Sequence, residues 1–406
     1  MRRTVTSLLI LALLASALVL NGCAGPRRAA LQSLVEKQWG AYGAKKKNWG
    51  GGLALYILTR RGNYFVSTGL GDINFSTHFR GASTTKTFTA AAVMLLEQAG
   101  LLKIDDKVSD AIPGSSETYL PRTRDYAIPN RDQITIRQLL EHRAGVFDLA
   151  NSPVPLSVRE HYAGENYFDF IRTEQEDDSH TFTFDEIAGV IARNDLSYAP
   201  PGTEFHYSNT GYSLLAKIIE RVSGQRYDQF VRAALLRPND LNSTTFPYLG
   251  TDQALPFPFA PGYTWFNGTL AETTRDNMSA NAAEGNIITT PHDLAIWTRR
   301  WLRGEAGLQE KYIRQMTAVA RTDEQHGYYG LGCTYTPGLG FGHNGAHQGY
   351  LTMVRYDPKQ DVTVLIFANC LNANDPNDEL NMMYALGFAA REALGYPTAE
   401  VPSVNL

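Results

Sequence analysis

Ser83-Thr84-Thr85-Lys86 places a hydroxyl and an amine three residues apart at the start of an apolar run, so on a helix both project from one face. A serine hydroxyl is a weak nucleophile until a base takes its proton. A lysine flanked by a buried apolar helix has its pKa drawn down by desolvation, which suits that exchange. A helix N-terminus adds partial positive charge near the attacking oxygen and a developing oxyanion. Alone, the tetrad reads equally as a helix cap followed by a surface lysine. Tyr207-Ser208-Asn209 stands just ahead of a second helical pattern and offers a phenol, whose pKa a nearby ammonium would lower, and an amide able to bond a substrate amide. His343-Asn344-Gly345-Ala346 lies on a strand pattern. Gly345 there admits a substrate backbone, and the Ala346 N–H joins the Ser83 N–H as a candidate oxyanion hole. Together the clusters describe acyl transfer through a covalent serine intermediate, for which no metal or organic cofactor is needed.

The elements that must position these residues are legible from periodicity. Residues 53–58 and 64–67 read as strands joined by hairpin chemistry at Arg60-Arg61-Gly62-Asn63. Residues 87–96 are apolar nearly all round, which describes a buried helix that Gly100 stops. Residues 136–142 and 212–222 read as further helices, the second closed by Gly224. Residues 340–346, 350–356 and 362–368 read as strands, with a turn at Asp357-Pro358-Lys359-Gln360, and 379–394 as a closing helix. Residues 151–178, with an acidic run over 174–178, and residues 256–281 read as loops. In the second, Tyr263, Trp265 and Phe266 are placed to wall a pocket. Strands at both chain ends with helices between them predict an α/β fold of the α+β kind: an antiparallel sheet built from both ends, flanked by helices, with an inserted helical lobe. The sheet lobe is expected over about 46–80 and 285–406, and the helical lobe over about 81–284.

A chain of 406 residues, 43% hydrophobic and 19% charged, buries a substantial core. Its net charge of −4 supplies no basic field for nucleic acid, which is excluded as a partner. Arg2 and Arg3 followed by an apolar stretch over 7–20, too short for a good membrane span, read as an export signal over residues 1–22. Leu20-Asn21-Gly22-Cys23 resembles the lipobox of bacterial lipoproteins, which makes Cys23 the expected lipidated first residue of an exported, membrane-anchored chain facing the periplasm or the cell exterior. Residues 23–45 would then be a tether and the start of a first helix, and 46–406 one catalytic domain. Cys333 and Cys370 read either as a bridge or as two buried thiols, and no Cys/His cluster has metal-ligand spacing.

The ordered set of Ser-x-x-Lys, Tyr-x-Asn and a strand His-x-Gly resembles the penicillin-recognising serine enzymes, in the branch of class C β-lactamases, DD-carboxypeptidases and related esterases. Phe79-Arg80-Gly81, the stretches 100–106 and 139–145, and above all residues 201–212 carry the same likeness, which extends over most of the chain. The resemblance implies a β-lactamase/transpeptidase-like fold, in which Ser83 is acylated, Lys86 and Tyr207 share proton transfer, Asn209 orients substrate, and His343 and Gly345 flank the acyl group. Ala346 would supply the second oxyanion N–H. The implied partners are small peptides or esters, with D-alanyl stem peptides of peptidoglycan foremost. Three departures limit this. His343 stands where β-lactamases carry lysine, which weakens capture of a substrate carboxylate. Asn344 replaces a hydroxyl residue, keeping a donor with a different reach. Glu284, in Ala283-Glu284-Gly285-Asn286, stands where small residues are common, and reads either as a surface carboxylate or as a selector of substrate.

Overall fold

The computed structural model describes residues 25–174, 178–323 and 327–396. Cys23, the signal segment and part of the acidic run lie outside the described residues. Thirteen strands are present: β1 (Leu53–Thr59), β2 (Gly62–Thr68), β3 (Phe79–Ala82), β4 (Tyr263–Phe266), β5 (Thr269–Glu272), β6 (Ile287–Thr289), β7 (Ala320–Arg321), β8 (Tyr328–Tyr329), β9 (Thr334–Thr336), β10 (Gly340–His347), β11 (Tyr350–Asp357), β12 (Val362–Ala368) and β13 (Cys370–Asn372) among the described residues. Eight of them form the main antiparallel sheet in the order β2-β1-β12-β11-β10-β9-β8-β7, so the first two strands insert beside the last long one. The helices are α1 (25–43), α2 (Thr85–Gln98), α3 (Ile136–Leu140), α4 (Tyr167–Glu174), α5 (Phe184–Arg193), α6 (Asn209–Ser223), α7 (Tyr227–Val231), α8 (Pro291–Leu302), α9 (Glu310–Met316) and α10 (Pro376–Ala393).

The central strands read as unbroken apolar runs because both faces of the sheet are covered. Leu53, Leu55 and Ile57 of β1 join Leu31, Val35 and Trp39 of α1 and Met383, Leu386 and Ala390 of α10 in one core. Ala54, Tyr56 and Leu58 point the other way, into a larger core shared with α2, α8 and the helical lobe. Cys333 and Cys370 fall in these two separate cores and are free, buried thiols, which settles the choice left open by the sequence.

Helix α2 is buried along nearly its whole length, as its all-round apolarity requires. Phe88 stacks on Trp297 of α8 at 4.1 Å between ring centroids and meets Phe246 edge-on at 5.4 Å. Helix α6 begins at Ser208, whose hydroxyl accepts from the Gly211 N–H, and ends at Gly224 in the left-handed conformation at φ 68°.

Several stretches fold differently from the expectation. Most of the stretch assigned to a tether is continuous helix α1, because its apolar stripe covers the outer face of the sheet. The first expected loop contains α4, and the second contains the β4–β5 hairpin, to which β13 adds in parallel. Tyr263 and Trp265 accordingly pack on the outer core, Trp265 lying edge-on to Trp49 at 5.8 Å, while Phe266 is exposed at the hairpin tip. They wall no pocket at the serine. Replacing Phe88 with Ala is expected to cost about 3–5 kcal/mol, read by urea unfolding, since the cavity opens between two packed helices.

Candidate active site

Strand β3 delivers Ser83. It pairs with β6, and the register shifts between Arg80 and Ala82, where Ala82 takes a left-handed φ of 49°. Two threonines then pin the turn: Thr84 Oγ1 donates to the Gly81 carbonyl at 2.9 Å and Thr85 Oγ1 to the Ala82 carbonyl at 2.8 Å. Helix α2 starts at Thr85, two residues later than the expected opening at Ser83. Ser83 therefore stands in the turn before it, half-buried between fully buried neighbours. Only glycine fits at position 345, because a Cβ there would collide with the Gly81 carbonyl oxygen. That close approach seats β10 against the serine turn, with Ala346 exposed beside it.

Lys86 is fully buried one turn into α2. Its Nζ lies 3.2 Å from Ser83 Oγ, 2.6 Å from Asn209 Oδ1, 2.8 Å from the Glu284 carbonyl oxygen and 3.2 Å from Glu284 Oε2. The Tyr207 phenol hydrogen-bonds both Lys86 and Ser83. Four sequence-predicted residues, Ser83, Lys86, Tyr207 and Asn209, thus converge on one point from two segments. Because Lys86 is a pure donor, it fixes the Asn209 amide with oxygen inward, and Asn209 Nδ2 then donates to Asp148 Oδ2 at 3.3 Å. A second amide N–H is left on that nitrogen for a substrate.

Glu284 corrects the surface reading of its position. Its side chain is 4% exposed and forms an ion pair with Lys86. Ala283 before it holds a left-handed φ of 69°, and Asn281 Nδ2 donates to its Oε1 at 2.6 Å, so both carbonyl and carboxylate face the ammonium. Asp148, which the sequence did not single out, is a second buried carboxylate, held by the Ala150 N–H at 3.1 Å and Asn151 Nδ2 at 2.9 Å. No spacing pattern marks either acid. Their burial comes from partners more than fifty residues away.

The charge states also differ from the expectation. Burial works to lower Lys86, but Tyr207, Glu284 and Asp148 outweigh it, so the amine is held above its ordinary value and stands as an ammonium. Burial raises Tyr207, and the pull of Lys86 does not cancel that rise, so the resting phenol is neutral. Burial, followed by the like charge of Glu284, pushes Asp148 up to about 6.

His343 lies where the strand pattern put it, yet both of its ring nitrogens are engaged. Nε2 meets the Tyr329 hydroxyl at 3.0 Å and Nδ1 the Asn344 carbonyl at 2.6 Å. The same Tyr329 hydroxyl lies 3.1 Å from His142 Nε2, and His142 Nδ1 accepts the Ser208 N–H at 3.1 Å. His142 also stacks on Tyr207 at 4.1 Å, so this chain of rings braces the loop carrying Tyr207 and Asn209. Asn344 turns to the opposite face of β10, where its amide donates to Tyr384 of α10 at 2.7 Å and accepts from Arg355 at 2.8 Å. It is a sheet-to-helix contact outside the site.

Two predictions follow from the charges. Glu284→Gln leaves a buried ammonium without its counter-ion and is expected to destabilise the fold by about 3–5 kcal/mol. The double variant Lys86→Met/Glu284→Gln should recover part of that loss in urea unfolding, and a purely additive double variant would deny the pairing. Acylation is expected to rise with pH through about 6, as Asp148 ionises and tightens its hold on Asn209. In Asp148→Asn that limb of the kcat/KM profile should flatten, and its survival would remove Asp148 as its origin.

Comparison with known proteins agrees with this geometry. The Beta-lactamase family model matches residues 33–387. The chain is 23% identical over 331 residues to Protein flp of Staphylococcus aureus (strain MW2), covering 78% of this chain and 59% of that protein, so it spans about three fifths of that relative. It is 33% identical over 168 residues to Penicillin-binding protein 4* of Bacillus subtilis (strain 168), covering 41% of this chain and 30% of that one. Among solved structures, a D-stereospecific amidohydrolase from Streptomyces sp. superposes with a TM-score of 0.71 at 24% identity, over 88% of this chain and 98% of that one. The D-amino acid amidase from Ochrobactrum anthropi SV3, complexed with D-phenylalanine, gives 0.71 at 20% identity, over 91% and 99%. At that identity the likeness is one of fold. With most of its length matched by the family model, the chain belongs to the Beta-lactamase family and is a serine hydrolase.

Proposed function

We propose that this chain is an envelope amidohydrolase that forms an acyl-enzyme on Ser83 and cleaves the amide bond of D-alanyl peptides or related D-aminoacyl amides. The observation that carries the reading is Ser83 Oγ at 3.2 Å from an ammonium whose other neighbours are Asn209, Tyr207 and Glu284. A charged Lys86 has no lone pair, so it serves as base by passing one proton to the Glu284 carboxylate while taking another from Ser83. The serine oxygen attacks the acyl carbon, and the resulting oxyanion is met by the Ser83 and Ala346 N–H groups. Tyr207 gives its proton to the departing amine and is refilled from Lys86. Water then adds to the acyl-enzyme by the same route in reverse. Asn209 holds the acyl portion through its remaining amide N–H.

Two features favour a leaving group without a carboxylate. The nitrogens of His343 are both engaged within the protein, so the third motif presents no free ring N–H to a substrate carboxylate, and the two buried acids near Ser83 leave the pocket negative. The fold's likeness to amidases that act on D-stereoisomers supports the same substrate class. An esterase of the same fold, acting on short acyl esters, is the alternative that an aromatic wall around Trp265 would favour, and Tyr263 and Trp265 instead pack on the outer core. Localisation forms part of the proposal: acylation of Cys23 would hold the enzyme on a membrane, each buried methylene contributing about 0.8 kcal/mol.

A fluorophosphonate probe is expected to label the wild type and not Ser83→Ala, and equal labelling of both would end the proposal. Lys86→Ala and Tyr207→Phe should each slow acylation by about 10²–10⁴. The anilide or simple amide of D-alanine should be turned over faster than D-alanyl-D-alanine, and faster than a cephalosporin, as read from kcat/KM.

A further inference from the structure

The far end of the sheet from Ser83 carries a surface that the chemistry leaves unexplained. Register places the β1–β2 turn, with Arg60 and Arg61, beside the β11–β12 turn, with Lys359, since Leu58 pairs with Thr363 and Asp357 with Val362. Between them Asp361 is 2% exposed and is shared by three guanidinium groups: Arg299 at 2.8 Å, Arg60 at 3.1 Å and Arg303 at 3.3 Å. One carboxylate cannot neutralise three cations, and among the described residues only Arg303 has a second acid, Glu305 at 2.6 Å.

Helix α1 brings a further charge to this end. Arg28 reaches the Phe65 carbonyl at 3.5 Å and Gln32 the Ser67 carbonyl at 2.9 Å, so α1 runs alongside β2 in the same direction and has its first turn by the β1–β2 hairpin. The last turn of α10 ends here too, with the Arg61 guanidinium 5.5 Å from the Tyr396 ring. Apart from the Arg391–Asp357 ion pair, Arg28, Arg60, Arg61, Arg299, Arg303 and Lys359 lie at this end with Asp361, Glu305 and Glu392, six basic groups against three acidic ones, on a chain whose net charge is −4. All six bases except Arg299 are exposed.

Ser83 stands well away from this surface. Helix α2 starts just after it and ends where Gln98 bonds the Gly307 carbonyl at 2.9 Å and the Gln309 N–H at 2.8 Å, in the segment that follows Arg303. Its 14 residues separate the two by about 21 Å at 1.5 Å per residue.

We propose that this arginine-rich end docks on an anionic phospholipid surface and holds the Ser83 site facing away from it. Two arguments select lipid as the occupant. The excess positive charge is complementary to an anionic leaflet, where each basic residue strengthens binding about fivefold. Cys23 is two residues from the start of the described α1, and two residues reach at most about 7 Å, so an acyl chain there lies within reach of the same surface. The proposal draws on the anchor reading for this second argument and not for the first.

The test uses the full chain, added to phosphatidylcholine vesicles with or without phosphatidylglycerol and carrying spin-labelled headgroups. A fluorophore is placed on Pro358→Cys at the basic end, or on Phe266→Cys at the β4–β5 tip. The Pro358 probe should be quenched at least fivefold more with phosphatidylglycerol than without it, and the Phe266 probe in neither. Arg61→Glu/Lys359→Glu should weaken the phosphatidylglycerol-dependent signal by about 25-fold or more, with turnover of a soluble amide unchanged. Equal quenching of the two probes, or indifference to phosphatidylglycerol, overturns the proposal. Mass analysis of Cys23 judges the anchor separately. An unacylated chain that floats only with phosphatidylglycerol vesicles still supports docking, and one that floats with neither overturns it.

Discussion

Burying the Lys86 ammonium is the constraint on which the rest of the site depends. An ion moved out of water costs several kcal/mol even after the protein relaxes, and it is tolerated only where acceptors surround it. Here those acceptors come from separate stretches of chain: Ser83 from the turn before α2, Asn209 from the start of α6, and both carbonyl and carboxylate of Glu284 from the segment leading into β6. Seating the ammonium therefore draws stretches of chain far apart in sequence together at one point. The same contacts define the catalytic geometry, so stability and chemistry are written in one set of hydrogen bonds.

The sheet contributes by approach more than by side chains. Gly345 lets β10 lie on the Gly81 carbonyl, and this lack of a side chain is what brings the strand against the turn that carries Ser83. Behind the strand, Asn344, Arg355 and Tyr384 tie β10 to α10 with hydrogen bonds of 2.7–2.8 Å. In front, the His142–Tyr329–His343 chain braces the Tyr207 loop against the same strand. The edge of β10 proposed to flank the acyl group is clamped from both faces, which is the preorganisation an oxyanion site requires.

The sequence revealed those features that a local pattern encodes. The long strands were readable because a chain buried on both faces must be continuously apolar, and α2 because a helix in the middle of a core must be apolar all round. Strands of two or three residues, such as β7, β8 and β9, leave no period to read. The β4–β5 hairpin was legible in its strand-forming aromatics and its Asn267-Gly268 turn, but the prolines at 256, 258 and 261 just before it made the whole stretch look like loop. In the site, Ser83, Lys86, Tyr207 and Asn209 sit in short motifs and were found. Asp148 was not, and Glu284 was marked only as a surface carboxylate or a substrate selector, since an acid's burial depends on what folds over it. The direction of the Lys86 shift was misread for that reason: the apolar helix was visible in the sequence, and the two carboxylates opposite it were not.

Charge is consequently separated along the sheet. The catalytic end gathers Glu284 and Asp148 around a single buried cation, and the opposite end gathers guanidinium groups around a single buried Asp361. Neither excess is needed to close the core, because hydrophobic contacts on both faces of the sheet already do so. Each leaves like charges close together, beyond what the buried partner neutralises, and that excess is available to something outside the chain. A negative pocket disfavours acyl donors whose leaving group bears a carboxylate, because that charge would enter a desolvated site already rich in anions. A positive far end is repelled by nothing in an anionic leaflet and aligns the molecule on it. The two asymmetries reinforce one another: an orientation fixed by the basic end turns the acidic pocket outward, toward substrates in solution or in the wall and away from the lipid headgroups.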